Sequence, residues 1–229
     1  MSAADADLRP ARLSGALATL FALAAVAALA SDAVTPALGV EVAGLCVLAA
    51  GLWLVRADWR VLGTLVGLGG LGTVAGSMGM VWVVTGDPLS TVQVVPGMLG
   101  VLVLALGVIP ARGGGSRRLV KAGTGVVLLG GFVAAIVQRP RLTTLLLGGA
   151  ATVLAWDAGE NAIGVGAQLG RRASTRWIEV AHLAGTALVA LLAVAAARTV
   201  RGIGTVGLPL TALALLLVAV LLLALALHD

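Results

Sequence analysis

Apolar residues run along the chain in long blocks, broken only by short polar or basic clusters. The blocks cover residues 13–30, 37–55, 61–84, 94–111, 119–137, 142–161, 178–200 and 206–227. Each is about 18 residues or longer, enough for a helix to cross roughly 30 Å of hydrocarbon. Inside hydrocarbon only helices and closed barrels satisfy every backbone group, and these blocks lack the alternation of barrel strands. The pattern predicts an all-α, polytopic transmembrane helix bundle of about eight spans, forming one integral-membrane helical domain over residues 1–229.

One stretch departs from this monotony. Between Trp156 and His182 the chain gathers Asp157, Glu160, Asn161, Gln168, Arg171, Arg172, Arg176 and Glu179. Projected at helical periodicity, the polar members of 157–172 fall within about 120° of one another. The sixth span is therefore expected to continue as an amphipathic extension over 157–172. Glu179, His182 and Thr186 share a face of the next helix, for which Ser174 or Thr175 can serve as N-cap. Folding the two helices back about Ala173 places His182 level with Gly164, within reach of Glu160 or Asn161, and Glu179 near Gln168 and Arg171. Gly164 would leave room for the imidazole. The candidate polar cluster is thus Asp157, Glu160, Asn161, Gln168, Glu179 and His182.

Glycines mark a second feature. Gly69, Gly72, Gly76 and Gly79 repeat at helical spacing in the third span, and Gly63 with Gly67 form a small-xxx-small pair one turn earlier. Such faces let helix backbones approach closely in lipid. The stripe reads as packing inside the bundle, with an oligomer face or a sliding helix as the alternative. No repeat relates the first four spans to the last four, as it would in many transporters.

Composition sharpens the reading. The chain is 60% hydrophobic and 11% charged, with a mean hydropathy of +1.10, too apolar for a soluble domain. The net charge of +5 does not point to nucleic acid, because the basic residues sit at the ends of apolar blocks, where they set topology. With the N-terminus in the cytoplasm, eleven of the fifteen Lys and Arg residues fall on the inner side, so that orientation is expected. Trp53, Trp59, Trp82, Trp156 and Trp177 lie near span ends, as an interfacial belt requires. Cys46 is alone, which excludes an intrachain disulfide, and reads as a small buried residue. Glu41 is placed one turn from the outer edge, able to reach headgroups. Residues 13–30 read as an uncleaved first span rather than a signal peptide, although Ala28-Leu29-Ala30 resembles a cleavage site. His228 reads as a solvated tail residue. A single lysine against fourteen arginines suggests a GC-rich prokaryotic source.

Three functions compete for the cluster. It can pin helices structurally through ion pairs with Arg171, Arg172 or Arg176. It can relay protons or cations, since ionisable groups at membrane depth mark pathways and histidine titrates near neutrality. It can ligate metal through Glu179 and His182, although a zinc site would want a third protein ligand. No nucleophile beside a base is visible.

The residues Trp156-Asp157-x-Gly159-Glu160-Asn161, Gln168-Leu169-Gly170-Arg171, Thr175-Arg176, Glu179 and His182 resemble the signature segment of an uncharacterised integral-membrane family from haloarchaea. Members often carry a glutamate where this chain has Ala167. The resemblance implies a prokaryotic, multi-pass cell-membrane protein and no particular activity. The expectation is a non-enzymatic membrane component or scaffold, without cofactor or bound metal, whose polar cytoplasmic hairpin meets membrane or cytoplasmic protein partners. Its partners would be the lipid bilayer and such proteins rather than nucleic acid, with oligomers possible through the glycine faces. The alternative is a small proton- or cation-coupled permease using Asp157, Glu160 and His182. A membrane metalloenzyme comes third.

Overall fold

The computed structural model describes residues 9–110, 113–138, 140–169 and 176–202. Among these the chain forms seven α-helices: α1 (Arg12–Leu29), α2 (Thr35–Arg56), α3 (Arg60–Thr85), α4 (Pro88–Val108), α5 (Arg117–Val137), α6 (Leu142–Leu169) and α7 (Arg176–Gly202). All seven are long and apolar enough to cross a membrane, which fits a multi-pass membrane protein. The eighth block, 206–227, and His228 lie outside the described residues. The chain divides into two compact units, Met1–Leu191 and Leu192–Asp229. Helices α1 to α6 and the first part of α7 belong to the first unit.

Local chemistry explains the helix ends. Gly86 closes α3 in the left-handed region, φ 59°, its N–H bonded to the Trp82 carbonyl, a conformation glycine adopts without a Cβ penalty. Asp87 then caps α4, accepting from Leu89 N and Ser90 N, and Pro88 occupies the first turn, where its missing N–H costs nothing. That cap starts α4 six residues before the predicted 94. Ser116 caps α5 in the same manner, accepting from Leu119 N.

Glycines line two antiparallel seams, α2 with α3 and α4 with α5, while α1 packs along α6. On α2 and α3, Val55 meets Gly63, Gly51 meets Gly67, Leu48 meets Gly70 and Gly44 meets Val74. Glycine on at least one side of each pair lets the backbones touch, the kind of close approach by which apolar helices associate in lipid. The same register continues to Glu41 beside Ser77 and Ala37 beside Val81, all four without solvent exposure. On α4 and α5, Gly97 faces Gly130, Gly100 faces Val127 and Leu104 faces Gly123. Helix α4 carries Met98, Val101 and Leu104 into the centre, against Ala18, Ala22 and Ala25 of α1.

The stripe of Gly69, Gly72, Gly76 and Gly79 takes no part in these seams. A Cβ at any of the four would meet nothing within 4 Å, and α3 packs through Gly63, Gly67 and Gly70 instead. The reason is angular: the two glycine sets share one helix but occupy different faces. The single cysteine is likewise displaced from expectation, since Cys46 is exposed, next to the α2–α3 seam but pointing outward. Leucines and valines dominate the outer surface, with Leu65, Val83 and Ile136 all more than 60% exposed. So apolar an exterior suits hydrocarbon and not water.

Candidate functional site

Helices α1, α5, α6 and α7 bring their polar residues together at the end of the bundle where arginines concentrate. Helix α6 runs unbroken through Gly159, so the predicted amphipathic extension is one continuous helix with the sixth span as far as Leu169. Gly159 is there for packing: a Cβ would lie 2.7 Å from Val120 Cγ1 of α5.

The first polar set satisfies a helix start from a distance. Ala11, at the N-cap of α1, has no side-chain cap, so the first N–H groups need acceptors from elsewhere. Glu179, on α7, supplies one. Its Oε2 accepts from Ser14 N at 2.7 Å and from Ser14 Oγ at 2.8 Å. Asn161 Nδ2, on α6, donates to Ser14 Oγ at 3.1 Å. Glu179 is 2% exposed, and its negative charge sits at the positive end of the α1 dipole. Beside it, the Ala11 N–H donates to the Ala162 carbonyl at 2.7 Å, and glycine at position 166 leaves space for the Arg9 backbone.

In the second set His182 Nε2 donates to Asp157 Oδ2 at 2.9 Å. The Thr186 hydroxyl donates to the same oxygen at 2.8 Å. The third set is an ion pair, Arg117 Nε to Glu160 Oε2 at 3.6 Å. Glu160 Oε1 is buried without a hydrogen-bond partner among the described residues.

The predicted cluster thus separates into three partnerships. His182 pairs with Asp157 instead of reaching Glu160 or Asn161. The space beside Gly164 faces the Arg117 guanidinium, 3.7 Å from where a Cβ would stand, not the imidazole. Glu179 turns to α1, away from Gln168, which is exposed. The expected turn at Ala173, with Arg171, Arg172, Ser174 and Thr175, lies outside the described residues. Ser14 and Arg117 escaped the sequence reading. A serine opening an apolar run is unremarkable, and the available signal was negative: no capping residue stands at Ala11 or Arg12.

Glu41, placed by the sequence within reach of headgroups, and Gln93, which the sequence reading passed over, are buried elsewhere. Glu41 is fully buried in the α2–α3 seam, and neither carboxylate oxygen has a partner among the described residues. It does not reach a headgroup, because its position in the seam turns it toward α3. Gln93, 3% exposed on α4, has an amide with neither atom satisfied among the described residues. It borders a small space of about 20 Å³ shared with Val26, Gly97 and Thr152, room for one water molecule.

Chemically, the arrangement holds helices together and offers acid–base groups at one end. Among the described residues no three His, Cys, Asp or Glu side chains converge as metal ligands. Glu179 and His182 serve separate partners.

Seven helices among the described residues, each long and apolar enough to cross a membrane, fit one class, the multi-pass helical membrane protein. The chain belongs to a family of unknown function, DUF7519, whose model matches residues 70–224. No curated protein and no solved structure matches the chain.

Proposed function

We propose that the protein is a non-enzymatic component of a prokaryotic cell membrane, haloarchaeal by the resemblance of its 156–182 segment. In this reading it is a scaffold whose α6–α7 end faces cytoplasmic or membrane partners. One observation carries the reading: each carboxylate of the polar end engages a group on another helix. Glu179 binds Ser14, Asp157 binds His182 and Thr186, and Glu160 pairs with Arg117. Groups so committed hold α1, α5, α6 and α7 in register. Trp177, 80% exposed, stands beside this end as a contact residue.

The test is a Glu160→Gln, His182→Ala double variant beside the unaltered chain, both reconstituted in vesicles. Metal content, proton and cation flux, and thermal unfolding are measured on each. The scaffold reading expects neither flux nor stoichiometric metal in either protein, and a lower unfolding temperature for the variant. Flux or metal that vanishes in the variant would overturn it.

A proton- or cation-coupled permease is the second reading. It is favoured by Glu41 and Gln93, buried in the first halves of α2 and α4 without partners among the described residues. Ionisable groups inside membrane spans mark pathways. It requires flux that Glu41→Gln abolishes.

A further inference from the structure

Beside the polar contacts of α6 and α7, a pocket of about 260 Å³ opens where α1, α2 and α4 meet at the arginine-rich end. Arg9, Arg12 and Arg56 line it, with Trp53 at its edge and Ala49 and Val108 among its apolar walls. The charges of Arg9 and Arg12 both bear on Arg56. Like charges gathered around one space repel. Among the described residues none of the three has a carboxylate within ion-pair distance. Arg56 spends one guanidinium nitrogen on the Pro110 carbonyl, which fixes the side chain and leaves its other donors available.

Three guanidiniums around a space with apolar walls call for a particular kind of occupant. A tetrahedral phosphate accepts several forked N–H bonds at once. The apolar walls would suit the carbon chain attached to it, and the exposed Trp53 ring is of the type found at headgroup level. We propose that this pocket binds the phosphate headgroup of an anionic lipid from the leaflet on that side. The ligand class is a phosphodiester lipid, read by Arg9, Arg12 and Arg56.

The inference rests on the proposed membrane placement, so the experiment separates the two. The full chain is reconstituted in vesicles of phosphatidylcholine and phosphatidylglycerol in equal parts. Flotation comes first: a chain that does not float with the vesicles fails the membrane reading itself. Floated protein is then released into neutral detergent, and the retained lipids are counted by native mass spectrometry. Phosphatidylglycerol is expected to be retained over phosphatidylcholine, with each arginine contributing about fivefold. The Arg9→Gln, Arg12→Gln, Arg56→Gln variant should fall to parity. Arg118→Gln with Lys121→Gln, at the same end but outside the pocket, should keep the preference. Arg56→Lys retains charge and loses the fork, so it should show an intermediate preference, and it serves if the triple variant does not fold.

Parity in the unaltered chain, or a preference unchanged by the arginine substitutions, would overturn the proposal. So would displacement of the lipid by inorganic phosphate, which would make the ligand a free anion. Lipid retention seen only after Asp5→Asn and Asp7→Asn would also overturn it, by giving the pocket to the chain's own carboxylates.

Discussion

Two glycines two residues apart on α3 should respond to alanine in opposite directions. At Gly70 a Cβ would stand 2.7 Å from Leu48 Cα and 2.9 Å from the Gly44 carbonyl oxygen, both backbone atoms of α2. Carbon contacts settle near 3.5–4.0 Å, so the seam would have to open by about 1 Å. An opening of that size forfeits about a quarter to a half of each neighbouring contact, and overpacking of this kind costs about 1–3 kcal/mol. The helical preference for alanine returns about 0.8–1 kcal/mol, leaving Gly70→Ala destabilised by up to about 2 kcal/mol. At Gly72 a Cβ meets nothing within 4 Å, so only the propensity gain remains and Gly72→Ala should be up to about 1 kcal/mol more stable. Thermal unfolding of both full-length variants in one detergent, followed by far-ultraviolet circular dichroism, reads the sign directly. For a chain of this size each kcal/mol moves the midpoint by about 2–4 °C. A Gly70→Ala midpoint above the unaltered protein would refute the seam argument. A drop for Gly72→Ala would show that the outward stripe is itself a packing face.

Four more substitutions probe the polar groups. Glu179→Ala strips the buried Ser14 N–H of its acceptor and should cost about 2–3 kcal/mol, whereas Ser14→Ala removes one hydroxyl and should cost about 1 kcal/mol; thermal unfolding giving the reverse order would reject the capping role. Hydrogen bonds from the Ser90 hydroxyl, the Ser90 N–H and the Leu89 N–H hold the Asp87 carboxyl below the usual aspartate range. Its stabilising contribution is therefore complete above about pH 4 and fades as acid titrates through the lower folded value, so the stability gap between the unaltered chain and Asp87→Asn should narrow in acid, and a constant gap from neutral pH downward contradicts this. Replacing Glu41, whose two oxygens lack partners among the described residues, by leucine should raise the unfolding midpoint by the equivalent of about 1–3 kcal/mol; a fall would mean that the carboxyl has a partner or a use.

Helix existence was legible because hydrocarbon-length apolar blocks have few other ways to fold, and seven of the eight blocks fall where described helices lie. Ends were less so. The start of α4 is hidden because Asp87-Pro88 has the composition of a turn, although the pair is also a cap and a first helical residue. The candidate cluster was partly legible: Asp157 and His182 meet, but with partners other than those a two-helix fold suggests. A hairpin projection considers two helices, whereas Glu179 and Asn161 are satisfied by Ser14, 165 and 147 residues away in sequence. Periodicity shows that residues share a face without showing which helix the face meets. That is why the glycine stripe read as packing inside the bundle lies off the α2–α3 seam, and why Glu41 looks able to reach headgroups.

The bond between Ser14 and Glu179 also sets an order of events during synthesis. Helix α1 leaves the ribosome long before α7 exists, so its first turn must wait, uncapped by any side chain, until five other helices have been made. The acceptor that completes the first helix is carried by the last one described. Until α7 arrives, a partly made chain has an unfilled N–H at one helix start. Shortened chains that stop before Glu179 should therefore be recognised by cellular proteases as unfinished, even though six of their helices are already present.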